Sequence, residues 1–240
     1  MISLDGNLGA IYPVVLRAGG APQTVTGGGL MTQATLTTLT RDRPVVRGRA
    51  ALLVIDVQNG SCNAGHAASL PEFYAAATGR VIPNIERLLR AFRAAGLEVV
   101  HTVIENLTAD GRDRSLDYKL SSFFYAKGSW EAQPLAEVVP VGDEILLPKT
   151  SSSVFNSTML DYLLRNIGIE DVFVVGFLTD QCVDHAVKDG ADRGYFVSCV
   201  HDACMAENEA RHAAALDCFR GYCRMIDTEA VLRLVEEAQV

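Results

Sequence analysis

At 240 residues and 49% hydrophobic composition, the chain is long enough to bury one sizeable core and short for two. A net charge of -8 with no basic cluster argues against a grip on nucleic acid or anionic lipid and leaves a small soluble molecule as the expected partner. No apolar run approaches the roughly 20 residues that span a bilayer, and the N-terminus lacks the basic start and apolar core of a secretory signal, so a cytoplasmic protein without membrane contact is expected.

Residues 1–48 read as a flexible arm. They carry Ala18-Gly19-Gly20-Ala21-Pro22, then Gly27-Gly28-Gly29, then a threonine-rich stretch from Thr32 to Thr40. These glycines lack the strand before and helix after that a phosphate cradle requires. Met31, which follows the glycine run, is a candidate start of the natural chain.

Residues 49–240 read as one domain. Short apolar runs predict buried strands at 51–55, 97–103, 144–148, 172–177, 196–200 and 223–226. Between most of them the spacing turns helical. Val81, Ile82, Ile85, Leu88, Leu89 and Phe92 form one apolar face, closed by Gly96. Met159, Leu160, Leu163, Leu164 and Ile167 form another, entered at Ser157 or Thr158 and closed by Gly168. Further helices are expected near 182–193, 207–220 and 228–238. Near-continuous apolar strands alternating with helices imply a doubly wound α/β domain with a mostly parallel six-stranded sheet covered on both faces.

Such sheets bind ligands beyond the carboxyl ends of their strands. Asp56 follows the first predicted strand, Lys149 the third and Cys182 the fourth, which places all three on one rim. Cys182 falls at a strand-to-helix junction, because Val183, Ala186, Val187 and Ala191 recur at helical spacing. Peptide dipoles at a helix N-terminus stabilise a thiolate. The alternative for Cys182 is a buried structural thiol, and for Asp56 and Lys149 a turn cap and a solvated loop lysine. Read together, Asp56 is positioned to accept the thiol proton, while Lys149 offsets the charge on carboxylate and thiolate. The backbone of Gly176-Phe177-Leu178-Thr179, with the amide of Cys182, offers N–H groups for an oxyanion.

Six cysteines are present, but a core of this size needs no disulfide framework, so reduced thiols are expected. There is no CxxC pair, and the five histidines are scattered, so no structural zinc is expected.

The segments LLVIDVQN, LPKTSSSVFNSTMLDYLLRNIGI and VVGFLTDQCVDHAVKDGADRGYFVSCVHDAC occur in the order found in the isochorismatase-like cysteine hydrolases, which the chain resembles from about Arg49 to Ile226. The resemblance implies a three-layer αβα sandwich. It implies Asp56 as general base, Lys149 as the group assisting the thiolate, and Cys182 as the nucleophile that forms a thioester acyl-enzyme. It also implies a cis peptide between Phe177 and Leu178, and an oxyanion hole made by the amides of Leu178 and Cys182. Family branches that cleave vinyl ethers lack a cysteine here, so Cys182 favours amide hydrolysis.

The metal-binding nicotinamidases of that family carry an Asp and histidines where this chain has NGSCNAGHAASL and HTVIENLTADGRDR, so no catalytic metal and no cofactor are expected. The aromatic segment Tyr118 to Trp130, including Phe123, stands where the family places a substrate-covering loop; the alternative is an interface or packing loop. Gln58, Glu105, Asn106 and Phe155 are further substrate-binding candidates. The implied activity is metal-independent cleavage of a small linear ureido, carbamoyl or carboxamide C–N bond, releasing ammonia or an amine, by a homo-dimer or homo-tetramer. The alternative is a non-catalytic ligand-binding or redox-responsive protein of the same fold.

Overall fold

The computed structural model describes residues 40–238. Six strands build the sheet: β1 (Ala50–Ile55), β2 (Glu98–Ile104), β3 (Ile145–Lys149), β4 (Asp171–Phe177), β5 (Phe196–Met205) and β6 (Arg224–Ile226). Their order is β3-β2-β1-β4-β5-β6, and every pairing is parallel. The sheet is thus wholly parallel. Both faces are covered, as such a sheet requires.

The period of two in β1 shows how the layers divide. Ala50, Leu52 and Val54 enter one core layer, Ala51, Leu53 and Ile55 the other, and all six are buried. On the first face lies the helix Ile82–Ala95, whose Ile85, Leu88, Leu89 and Phe92 follow the 3.6-residue period and are buried in that layer. Phe92 meets Phe173 of β4 edge to face at 5.6 Å. This helix ends at Gly96, whose φ of 65° supplies the left-handed cap. Thr228–Glu236 joins the same layer through Val231 and Val235. The opposite layer takes Leu160–Ile167, Asp184–Asp192 and Glu209–Phe219, with Leu160, Leu164, Val187 and Phe219 buried beside Leu53, Val172 and Val174.

Two features differ from the sequence expectation. The strand expected to stop at 200 continues to Met205 through an irregularity: Val174 pairs with Cys199, but Gly176 pairs with Cys204. Its polar His201 and Asp202 fall just beyond the expected strand end, yet Asp202 holds two helices to the sheet. One oxygen accepts from Thr228 N and Oγ1, both at 2.9 Å, and the other from Asn84 Nδ2 at 3.2 Å. The stretch read as an arm is tied down from residue 40 onward, where it is described. Val45 is buried, Arg43 pairs with Glu170 at 3.0 Å, and the Arg43 guanidinium lies 4.2 Å from the Phe196 ring centre. The glycine runs and Met31 lie outside the described residues.

The chain runs from β1 outward to β3, then returns to place β4 on the other side of β1. The strand order therefore reverses between β1 and β4. A crevice opens there at the carboxyl ends of the strands. Among the described residues, no helix is long and apolar enough to cross a membrane.

Candidate active site

Asp56 is the first residue beyond β1 and stands at that reversal. Its φ of 53° is left-handed, a conformation that costs a non-glycine residue about 1–3 kcal/mol unless its surroundings impose it. Thr102 of β2 imposes it. The Asp56 amide donates to Thr102 O at 3.1 Å and to Thr102 Oγ1 at 3.2 Å, and that hydroxyl donates back to Asp56 Oδ1 at 2.7 Å. With Oδ1 fixed, Oδ2 faces the Lys149 ammonium at 2.9 Å and has no other partner among the described residues.

Lys149 closes β3, an edge strand, and reaches past β2 on its four-carbon stem to a position that is 0% exposed. Besides the carboxylate, its Nζ lies within donor distance of Tyr118 Oη at 3.0 Å, Ser151 O at 2.9 Å and Cys182 Sγ at 3.3 Å. Burial works to lower its pKa, but Asp56, Cys182 and Tyr118 outweigh burial and raise it. The ammonium stays charged.

Cys182 is carried by a wide π-type turn, Thr179–Val183, that joins β4 to the helix Asp184–Asp192. It is not in the α-helix itself. Its Sγ also has Ser152 Oγ at 3.5 Å and Tyr118 Oη at 3.7 Å. Burial pushes the thiol up, Lys149 pulls it back, and the charge of Asp56 raises it again, for a net rise. Burial thus works against the thiolate that a helix N-terminus favours, while a buried carboxylate and a buried ammonium stand beside the sulfur.

The peptide between Phe177 and Leu178 is cis. Directly before it, Gly176 has a φ of 119°, and a Cβ there would stand 2.1 Å from Ile55 O, so only glycine lets β4 approach β1 this closely.

A cavity of about 220 Å³ opens over these groups, with Asp56, Cys182, Leu178, Tyr118 and Phe123 in its wall. Tyr118 and Phe123 stack with ring centres 5.2 Å apart. The other sequence-predicted binding residues stand outside the wall. Gln58 is wholly buried: its Nε2 donates to Ile104 O and Glu131 O, and its Oε1 accepts from Ile104 N. Glu105 accepts from Gly128 N, and the Asn106 amide donates to Tyr125 O, so both hold the segment 118–130 in place. Trp130 is 55% exposed. Phe155 lies in a core layer, stacked on Tyr195 at 5.8 Å.

Tyr125, of the aromatic segment, also lines the cavity; sequence reasoning missed His66, Gln181 and Glu207, which line it too, and Thr102 and Ser152, which hold Asp56 and Cys182. Glu207 had a usable signal. It follows a strand, as Asp56 does, but one expected to end at residue 200 and not at Met205. His66 and Gln181 carried none, because loop packing brings them in.

A family profile described as "Isochorismatase domain" matches residues 50–230. The ureidoacrylate amidohydrolase RutB of Pantoea ananatis (strain LMG 20103) is 33% identical over 173 residues, covering 65% of this chain and 68% of that protein. The crystal structure of a cysteine hydrolase from Pseudomonas syringae pv. phaseolicola 1448A is similar with a TM-score of 0.70 at 24% identity, covering 82% of this chain and 99% of that one. The crystal structure of an isochorismatase family protein from Desulfovibrio vulgaris subsp. vulgaris str. Hildenborough follows at a TM-score of 0.68 and 27% identity, covering 78% and 98%.

Proposed function

The chain belongs to the isochorismatase family, and from that premise we propose that it is a cysteine hydrolase of small amides or ureides. The observation that carries this reading is one ammonium, Lys149, held 2.9 Å from a carboxylate and 3.3 Å from a thiol in the wall of the crevice. The named activity of RutB, an amidohydrolase, supports the same class of bond. A cavity of about 220 Å³ falls below the roughly 300–1,000 Å³ typical of drug-sized sites, which favours a small substrate.

In this reading the substrate carbonyl lies over Cys182. The thiol proton passes to Asp56 as sulfur attacks the carbonyl carbon, and Lys149 stabilises the charge that builds on sulfur. The amides of Leu178 and Cys182 receive the oxyanion. Asp56 then gives the proton to the leaving nitrogen, the C–N bond breaks, and ammonia or an amine departs from a thioester acyl-enzyme. Water attacks that thioester with Asp56 again as base, which restores the thiol and releases the acid. The steps balance without a metal, and among the described residues no group of three or more His, Cys, Asp or Glu side chains is placed to hold one. Activity is therefore expected to survive chelators.

Ammonia release from a panel of ureides, carbamoyl amino acids and carboxamides is the test. Cys182→Ala should abolish turnover while leaving the melting temperature within a few degrees of wild type. Turnover retained in that variant refutes the mechanism.

A further inference from the structure

We infer that this site prefers a substrate whose far end is positively charged or neutral and disfavours a carboxylate there, and that Glu207 is the residue that reads this charge. The inference rests on the amidohydrolase reading above and adds the substrate class.

Among the described residues, the cavity wall contains two carboxylates, Asp56 and Glu207, and no lysine or arginine. Lys149 is 0% exposed, and its donors point to Asp56, Tyr118, Ser151 and Cys182, so it has none to offer an incoming carboxylate. None of the basic residues in or beside the segment 118–130 lines the cavity, and Lys127 is exposed outside it. Lys119 donates to Arg112 O, and Arg114 donates to Gly111 O and Phe123 O. His66 also lines the cavity, but its Nδ1 accepts from the Asn63 amide at 3.1 Å and so has no proton to offer a ligand there.

Glu207 gains its place from the irregular path of β5. Phe177 pairs with Met205, so the residues just past β5 stand beside the segment from Leu178 to Cys182. Arg211 pairs with Glu207, but the same guanidinium also pairs with Asp180 at 2.5 Å. One positive charge is divided between two carboxylates, so the group keeps a net charge of about -1. The Glu207 side chain is 35% exposed and remains open to a ligand in the cavity. An ammonium at the far end of a substrate would be attracted to it, and a carboxylate would meet a like charge with no cation in the wall.

The test uses three ureas of one chain length: 2-aminoethylurea, propylurea and 3-ureidopropionate. Binding to the Cys182→Ala protein is measured by calorimetry, and ammonia release by the wild type gives kcat/KM. The expected order is amine, then propyl, then carboxylate, with amine and carboxylate at least about tenfold apart. Glu207→Gln should shrink that ratio by about tenfold. A carboxylate that binds as well as the amine, three ureas that bind alike, or a ratio unmoved in Glu207→Gln would each overturn the inference. Absent ammonia release with the binding order kept would overturn the amidohydrolase reading alone.

Discussion

Burial raises the Cys182 pKa, the Lys149 ammonium 3.3 Å away opposes it, and Asp56 adds to the rise. Tyr118 then matters in a way its place in an aromatic loop did not suggest. Its hydroxyl accepts from Lys149 at 3.0 Å, which turns its own O–H toward Cys182 Sγ at 3.7 Å, so it relays the ammonium's field to sulfur. Tyr118→Phe keeps the ring stacked on Phe123 but deletes the relay. In steady-state kinetics we expect kcat to fall about tenfold, the effect of one hydrogen bond of about 1.4 kcal/mol, with little change in melting temperature. An unchanged kcat would confine Tyr118 to packing. The sequence placed Asp56, Lys149 and Cys182 together because each closes or follows a buried apolar strand. It was silent on Tyr118's hydroxyl, Thr102 and Ser152, whose positions depend on loop closure and cross-strand register.

At the scale of elements, the β1/β4 pair positions the chemistry, since Asp56 leaves one strand and the Cys182 turn leaves the other. The backbones approach closely at Gly176, where an added Cβ would meet Ile55 O at 2.1 Å and φ is already 119°. Gly176→Ala forces the two strands apart beside Asp56. A stability loss of about 4 kcal/mol or more is expected in denaturant titration, together with loss of activity. A variant with unchanged stability would show that the pair yields more easily than its geometry implies. Apolar runs revealed both strands, because burial on two faces leaves few polar positions. The same rule hid the second half of β5, where Asp202 is polar because it binds Thr228 and Asn84 across a layer.

For the whole molecule, the alternation of strand and helix was enough to read a doubly wound sheet, but not the place where the domain begins. Arg43, inside the stretch read as an arm, packs on Phe196 and stands 3.6 Å from Asp171, the buried first residue of β4. Burial raises the Asp171 pKa, Arg43 opposes this and Glu170 adds to it, leaving it pushed up to about 6 from 3.8. The unfolded chain therefore loses this proton near pH 4, while the folded chain keeps it until about pH 6. Between those values each rise in pH favours unfolding, and the loss persists above pH 6, with a ceiling of about 3 kcal/mol for a shift of roughly two units. Asp171→Asn removes the charge while Arg43 keeps Glu170 and the Phe196 ring. Thermal melts should show the variant about 2–4 °C above wild type at pH 8, as a net gain of about 1 kcal/mol implies. At pH 4, where Asp171 is protonated in the fold, the two proteins should melt together. A variant less stable than wild type at pH 8 would mean that the ion pair with Arg43 outweighs the burial of the carboxylate.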